Sequence, residues 1–179
     1  MKYWCYTTVN NLEQVQQRTL EYLTTSGILE QSKKAQGFMM LPKMEQHVPE
    51  LINLRDDFRF LGASAYIMWD NSAGLPHRDT TRSRARINIP ILNCANTITE
   101  FWQCRHEESR LTPDLQAGNG LPYRGYSWDQ IELQTAVCID QPTVIRVQEI
   151  HSIRILGDQV PRITLTVKFW PDVDCLLEA

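Results

Sequence analysis

The sequence predicts an α+β protein that is mainly β, in which N-terminal helices brace a β-sandwich or barrel. Helical periodicity is confined to the residues before Gly62, whereas six strand-like segments separated by turn residues follow it. The chain has 179 residues, of which 42% are hydrophobic, which suits one domain with a single packed core. We therefore expect residues 1–179 to form one domain, with 1–61 contributing the first strand and the helices, 62–170 the strands, and 171–179 a tail.

The N-terminal third contains one predicted strand and two predicted helices. The stretch KYWCYTTV is rich in aromatic and β-branched residues and predicts a short strand. NNLEQVQQRTLEYLTTSGI predicts a helix that Asn10 or Asn11 can cap and that ends at Gly27, and its apolar stripe comprises Leu12, Val15, Thr19, Leu20 and Leu23. QHVPELINLRDDFRFLG predicts a second helix with Pro49 near its first turn, and its apolar stripe comprises Leu51, Ile52, Leu54 and Phe58.

The remainder predicts a succession of strands. The strand-like segments are ASAYIMW, ARINIPIL, TITEFWQC, IELQTAVCI, TVIRVQEIHSIRI and RITLTVKFW. The segment 105–128 is long for a loop in a compact domain and is a candidate lid. In the last strand, Ile163, Leu165, Val167 and Phe169 alternate with polar residues, so one face requires an apolar layer, which the helices can supply. Arg162 on the other face would be a buried cation if that face lined an interior.

Charge and composition exclude several classes of protein. Lys and Arg number 18 against 21 Asp and Glu, for a net charge of −3, which argues against nucleic-acid binding driven by bulk charge, although the arginines between Arg82 and Arg86 leave a nucleic-acid partner open. The alternating Arg82, Arg84 and Arg86 could share a strand face, either as a solvated edge, which we favour, or as the rim of a cavity that takes an anionic or polymeric substrate. No apolar run is long enough to cross a bilayer. Five scattered cysteines without a CxxC pair, and no signal-peptide pattern, indicate a reduced, cytoplasmic protein.

The candidate metal ligands are limited in number, because the chain has only four histidines, His47, His77, His106 and His151. His77 and Asp79 are two residues apart, so on an extended chain an imidazole and a carboxylate point to the same side. These are two of the three ligands of a facial triad of two histidines and one carboxylate, the open site of non-haem Fe(II) oxygenases. His151 follows the apolar segment TVIRVQEI and could return beside the pair in an antiparallel arrangement. Arg162 lies eleven residues later, on the next strand.

Each of these residues also has an ordinary structural interpretation. His77 and Asp79 could be a surface pair beside a turn, since so short a motif often arises by chance. His151 could be a core histidine, and Arg162 could pair with Asp158 or Glu149 at a strand end. Trp69, Trp102 and Tyr126 could line a pocket or only close the core. The order of the four residues and their strand context favour the metal-site interpretation.

The series LPHRDTTRSRARINIPILNCANTITEFW, followed by IHSIRILGDQVPRITLTVKFW, resembles the Fe(II)/2-oxoglutarate-dependent oxygenase superfamily. The pattern of that superfamily is His-x-Asp, a distal His, and an Arg or Lys about ten residues further on. The local sequence around these residues is similar to that of small bacterial and phage members, which are grouped with aspartyl/asparaginyl and prolyl hydroxylase-like proteins. The resemblance covers residues 62–170 and implies a double-stranded β-helix, a jelly-roll or cupin-like barrel.

The resemblance implies a role for each matching residue. His77, Asp79 and His151 would bind Fe(II) and leave positions for 2-oxoglutarate and O2. Arg162 would bind the distal carboxylate of 2-oxoglutarate, with Thr164 beside it, and Tyr66 would contact the same co-substrate. Asp79 implies hydroxylation, since the family's halogenases have a small residue at this position.

The predicted function is therefore a hydroxylase that couples decarboxylation of 2-oxoglutarate to oxidation of a substrate C–H bond. The alternative is a non-catalytic cupin-like module that holds a metal or a small ligand. The substrate could be a small molecule or a protein side chain, and the sequence indicates neither its identity nor the oligomeric state.

Overall fold

The computed structural model describes residues 2–33, 38–71, 74–105, 115–116 and 122–178. These residues contain two helices, α1 (Leu12–Thr25) and α2 (Ile28–Ser32), and four short 3₁₀ segments, at Met44–Gln46, Pro49–Asn53, Trp128–Gln130 and Val173–Leu177. The strands are β1 (Trp4–Tyr6), β2 (Phe38–Pro42), β3 (Arg59–Met68), β4 (His77–Asp79), β5 (Ala85–Leu92), β6 (Thr97–Cys104), β7 (Leu115–Gln116), β8 (Pro122–Gly125), β9 (Ile131–Val137), β10 (Thr143–Arg146), β11 (Ile150–Ile155) and β12 (Arg162–Trp170).

The strands form two six-stranded antiparallel sheets. Sheet A has the order β1-β10-β5-β12-β3-β2, and sheet B has the order β7-β8-β4-β11-β6-β9. The prediction of a mainly β protein with few helices is confirmed. Of the expected β-sandwich or barrel, the described strands show two sheets and no closed barrel, because β1 and β2 end sheet A, β7 and β9 end sheet B, and no ladder joins these edges.

The helices cover one face of sheet A, as the alternation in the last strand predicts. Leu165 and Val167 of β12 are fully buried in one cluster with Val15 of α1 and Leu51 of the second 3₁₀ segment. Ile163 joins Leu23 of α1 in a neighbouring cluster. Burial of such side chains contributes about 1.5–3 kcal/mol each, so this layer holds the helices on the sheet. The opposite, polar face of β12 looks toward sheet B.

Two predicted elements differ from the structure. The second helix, expected around residues 46–62, is replaced by the 3₁₀ turns, and β3 already begins at Arg59. Of the apolar stripe of that predicted helix, Leu51 and Leu54 are buried, but Ile52 is 52% exposed. The helix-like spacing of the apolar residues therefore comes from a short 3₁₀ turn that packs on the sheet. The single strand expected over 143–155 is divided, because the chain leaves sheet A after Arg146 and enters sheet B at Ile150.

The described helices offer no candidate for a membrane span, since each is too short or too polar to cross a bilayer. All five cysteines are free thiols. The candidate lid at 105–128 falls largely outside the described residues, which in this part of the chain are Arg105, β7, β8 and the three residues after β8.

Candidate metal centre

Two adjacent strands of sheet B bring the two candidate histidines together. His151 of β11 stands directly opposite His77 of β4 in the antiparallel register. Residues at such paired positions project from the same face of a sheet. The centroids of the two imidazole rings are accordingly 4.4 Å apart, with the rings inclined at 51°.

Asp79 completes the cluster from the same strand as His77. Because side chains two residues apart point to the same side of a strand, Asp79 projects beside His77, and its Oδ1 lies 3.9 Å from His77 Nε2. One donor atom from each of His77, Asp79 and His151 can be chosen so that all three lie within 4.8 Å of one another. This cluster is therefore compact enough for one ion to reach all three residues.

Main-chain carbonyl groups orient both imidazoles. His77 Nδ1 lies 2.8 Å from the carbonyl oxygen of Leu75, and His151 Nδ1 lies 2.9 Å from that of Glu149. A carbonyl accepts only, so each Nδ1 carries a hydrogen, and in the neutral form of such a ring the lone pair is on Nε2. In each histidine the nitrogen available to a metal is thus Nε2, the arrangement that an outer-shell hydrogen bond produces in metal sites.

His151 is held neutral by its surroundings. Its side chain is buried, and burial, with a smaller contribution from His77, lowers the pKa of His151 to about 4. A neutral imidazole is the form that binds a metal ion, so no proton has to be removed from His151 at neutral pH.

Arg86 on β5 of sheet A holds the second oxygen of Asp79. Its guanidinium donates to Asp79 Oδ2 at 2.9 Å and to Thr81 Oγ1 at 3.1 Å, and the residue is only 3% exposed. Tyr66 of β3 also hydrogen-bonds Arg86, and burial raises the pKa of Tyr66. Arg86 Nε is buried and has no hydrogen-bond partner within the described residues.

The interpretation of Arg82, Arg84 and Arg86 as a common solvated edge is wrong for Arg86. Arg82 and Arg84 are exposed and precede β5, whereas Arg86 is the second residue of that strand and points inward. A signal was present in the sequence: Arg86 and Asn88 are two residues apart and are the polar residues of ARINIPIL.

Arg162 lies buried between the sheets. It is 1% exposed, its Nε donates to Thr97 Oγ1 of sheet B at 3.1 Å, and its Nη1 lies 3.9 Å from Met68 Sδ. Burial lowers the pKa of this guanidinium. In the part of the chain that the structure describes, no carboxylate pairs with it, so neither Asp158 nor Glu149 takes the role considered for them.

Between Arg162 and the histidines, the interior carries polar groups. Thr97, Thr99 and Phe101 alternate on one face of β6, and Phe101 stands opposite His151. Thr99 Oγ1 is buried and has no hydrogen-bond partner among the described residues. Thr164 is buried as well and is paired with Tyr66 across β12 and β3.

The three aromatic residues considered for a pocket have other contacts. Trp69 Nε1 donates to Ser32 Oγ at the end of α2. Trp102 points away from the Phe101 face, donates to Ser152 Oγ and packs edge-on against Trp128. Tyr126 is buried with Ile131 and Ile150. These residues therefore close packing clusters around the sheets.

The donor set suits a divalent transition metal. Two imidazoles and one carboxylate from two neighbouring strands occupy one side of an ion and leave its other positions open. The chain's own hydrogen bonds direct Nδ1 of each histidine to a main-chain carbonyl and one oxygen of Asp79 to Arg86, so the opposite nitrogen of each ring and the other carboxylate oxygen face the cluster.

Comparisons with known proteins agree with this fold. No protein-family model matches the chain, and no curated protein matches its sequence. The chain is similar to SnoK, a non-heme alpha ketoglutarate dependent carbocyclase of nogalamycin biosynthesis, with 10% identity, a TM-score of 0.51, and coverage of 99% of this chain and 86% of SnoK. It is also similar to the epimerase SnoN, solved with Fe3+, alpha ketoglutarate and nogalamycin RO, with 14% identity, a TM-score of 0.50, and coverage of 99% of this chain and 85% of SnoN.

A third similar structure is E. coli ycfD, at 11% identity and a TM-score of 0.46 over 79% of this chain. The chain spans 36% of the length of that protein. At these low identities, the likeness to SnoK and SnoN shows a shared fold.

Proposed function

We propose that this chain is a non-haem Fe(II)- and 2-oxoglutarate-dependent oxygenase, and specifically a hydroxylase. The observation that carries the proposal is the cluster of His77, Asp79 and His151, whose donor atoms lie within 4.8 Å of one another. The buried Arg162, which pairs with no described carboxylate, supports the assignment of the co-substrate. The proposal also agrees with the fold shared with SnoK, an alpha ketoglutarate dependent carbocyclase, and with SnoN, which was solved in complex with alpha ketoglutarate.

In this proposal the three clustered residues hold Fe(II). Two neutral imidazoles and a single carboxylate would leave the ion with one positive charge and with open coordination positions. Bound Fe(II) and 2-oxoglutarate supply the oxidation of a substrate C–H bond by O2, with release of succinate and carbon dioxide. The contribution of Arg86 is to retain Asp79 Oδ2, so that Oδ1 remains directed toward the histidines.

Arg162 is the proposed partner of the distal carboxylate of 2-oxoglutarate. A buried guanidinium with free donors suits a carboxylate, and such charge-assisted hydrogen bonds contribute about 1.5–3 kcal/mol. Thr164, two residues further along the same face, and the hydroxyl of Thr99, which has no partner among the described residues, are additional donors in the same interior. Tyr66 is proposed to contact the co-substrate from β3, although its hydroxyl also hydrogen-bonds Arg86.

The proposal also includes the type of β fold and the cellular compartment. Alternation of β3, β5, β10 and β12 in sheet A with β4, β6, β9 and β11 in sheet B supports a double-stranded β-helix, a cupin-like jelly roll. Five free thiols support a reducing, cytoplasmic compartment.

Anaerobic titration with Fe(II) and 2-oxoglutarate tests the proposal. We expect the visible charge-transfer absorption of a 2-oxo acid chelated to Fe(II), and its loss in His77→Ala. In Arg162→Gln we expect the absorption to persist while the affinity for 2-oxoglutarate falls about 10- to 100-fold, the equivalent of one lost charge-assisted contact. Absence of the absorption in the wild-type protein would contradict the proposal. Metal binding without succinate formation under O2 would indicate the non-catalytic module instead.

A further inference from the structure

The inward face of β12 carries a cation at each end. Arg162, Thr164, Thr166 and Lys168 alternate on this face, and Thr166 Oγ1 donates to Asn88 Oδ1 of β5 at 2.8 Å. Six residues of a strand separate the two cations by about 20 Å along β12. One five-carbon diacid is far too short to reach both, so a co-substrate held at Arg162 leaves Lys168 for another group.

Lys168 lies next to a second cation. The register pairs Val167 of β12 with Ile87 of β5, and its continuation brings Lys168 beside Arg86. Burial, together with Arg86, lowers the pKa of Lys168, and the nearby Asp79 offsets part of this effect. No hydrogen bond or ion pair to Lys168 is found within the described ranges.

The environment of Lys168 is open on the side of β3. Lys168 stands opposite Gly62 in the antiparallel register, and a Cβ placed on Gly62 would meet no described atom within 4 Å. A ligand group could therefore approach the ammonium beside β3 without displacing a described side chain.

The local charges are not balanced. Among the described residues, Arg86 and Lys168 have one carboxylate in common, that of Asp79, and Arg86 already donates to its Oδ2. In the proposed function Asp79 also neutralises part of the charge of a divalent metal ion, which leaves the ammonium without a counter-charge. Partly buried cations beside one another are costly unless an anion joins them.

We propose that Lys168, supported by Arg86, forms an anion subsite next to the metal centre, and that it binds a carboxylate or phosphate group of the substrate. This inference rests on the proposed function, because it assigns the second anion to a substrate rather than to the co-substrate. It narrows the substrate to acids among the small molecules and side chains that the fold could accept. The occupant is a small anionic group, for which the compact ammonium of a lysine is suited.

The experiment uses the full chain, saturated with Zn(II) and with N-oxalylglycine, a diacid that takes the place of 2-oxoglutarate. The probes are benzoate and phenyl phosphate, each with its neutral match, benzamide and phenol. Affinities come from calorimetry. Reductive ¹³C-methylation, which preserves charge, provides an NMR signal for each of the five lysines, Lys2, Lys33, Lys34, Lys43 and Lys168, and the signal absent in Lys168→Gln identifies Lys168.

We expect an anionic probe to move the Lys168 signal saturably and the neutral match to leave it unchanged. Lys168→Gln should weaken anion binding at least 10-fold, and Lys168→Arg should retain it within about 3-fold. Lys33→Gln, which removes an exposed lysine directly after α2, should not alter it. Whichever of benzoate and phenyl phosphate binds more tightly identifies the carboxylate or the phosphate as the favoured group.

Two results would overturn the inference: equal affinity of acid and neutral probes, or a loss of 2-oxoglutarate binding in Lys168→Gln as large as in Arg162→Gln. The second result would make Lys168 a co-substrate residue. Repeating the titration without Zn(II) and N-oxalylglycine separates this inference from the proposed function. Anion binding at Lys168 in a protein that shows no Fe(II) charge-transfer absorption would support the subsite while contradicting the oxygenase.

Discussion

The two oxygens of Asp79 have different partners, and this difference shapes the candidate site at the scale of single residues. Oδ2 accepts a hydrogen bond from the buried Arg86, and Oδ1 lies 3.9 Å from His77 Nε2. A buried guanidinium is costly without a counter-charge. Asp79 therefore has a structural role, as the partner of Arg86, in addition to its proposed role as a metal ligand.

Asp79→Ala should lower the free energy of unfolding of the metal-free protein by about 3 kcal/mol, because it leaves Arg86 buried without a carboxylate. Adding Arg86→Met to Asp79→Ala should recover much of this loss of stability, since the double variant no longer contains the unpaired buried charge. Urea denaturation of the single and double variants measures both effects.

Arg84→Ala provides the control for this cycle. Arg84 pairs with Asp174 at 3.4 Å, but its side chain is 68% exposed, so we expect a change below about 1 kcal/mol. Equal effects of Asp79→Ala and Arg84→Ala would show that the Arg86 pair has no special importance for stability.

The buried His151 should make the stability of the metal-free protein depend on pH. The pKa of His151 is about 4 in the folded protein and near 6.5 when the chain is unfolded. Because the folded-state pKa is the lower one, stability is complete above about pH 6.5 and falls as the pH approaches 4. Between pH 7 and pH 5 we expect a loss of about 2 kcal/mol. Urea denaturation at both pH values checks this, and His151→Gln should show a smaller difference; an identical difference in the variant would contradict the assignment.

At the scale of elements, the sequence predicts strands well where each residue's burial follows from its neighbours. ARINIPIL, TITEFWQC and RITLTVKFW coincide with β5, β6 and β12. Their β-branched and aromatic residues form continuous or alternating patterns that identify a strand locally. β4 has three residues, and its position depends on pairing with β8 and β11. Such tertiary pairing leaves no periodicity to detect, and the same holds for the change of sheet between β10 and β11.

Gly74 controls how closely the segment before β4 approaches β11. Ile153 N donates to the carbonyl oxygen of Gly74 at 3.1 Å, and a Cβ on Gly74 would overlap the carbonyl oxygen of Ile153. Since both contacts involve main chain, Gly74→Ala should displace this segment, lower the free energy of unfolding by about 1–3 kcal/mol, and weaken metal binding at His77.

Calorimetric titration with Zn(II) and urea denaturation measure these two effects. Gly157→Ala is the matched control, because a Cβ there meets only Asn96 Cβ, at an ordinary 3.8 Å. If Gly74→Ala bound Zn(II) with wild-type affinity, close packing at this position would not be needed to position the ligands.

At the scale of the whole molecule, the functional site depends on how two sheets face each other. The order of His77, Asp79, His151 and Arg162 in the sequence suggests a metal site, and the structure brings the first three together. The sequence does not indicate that Arg86 reaches Asp79 from sheet A, since residues seven apart on different sheets have no fixed spatial relation. The sequence also does not reveal that Arg162 contacts Thr97, because this contact forms only when sheet A packs face to face against sheet B.

Metal binding should stabilise the whole fold, because the ligands come from strands that meet only when the chain is folded. At a free Fe(II) concentration 100 times the dissociation constant, we expect a gain of about 2.7 kcal/mol in the free energy of unfolding. Anaerobic thermal or urea denaturation with and without Fe(II) measures it. His77→Ala should remove the gain, and a gain that persists in this variant would locate the metal elsewhere.

The pairing of β4 with β11 has a consequence for kinetics. These strands meet at one register position, which is occupied by His77 and His151 themselves. Any transient separation of the two strands therefore also separates the two imidazoles, and an ion bound by both would have to be released or held by fewer ligands. The residence time of the ion and the hydrogen-exchange protection of the β4 amides should then be governed by the same opening motion. The opening rate of this short strand pairing would in this way set how long the ion stays bound.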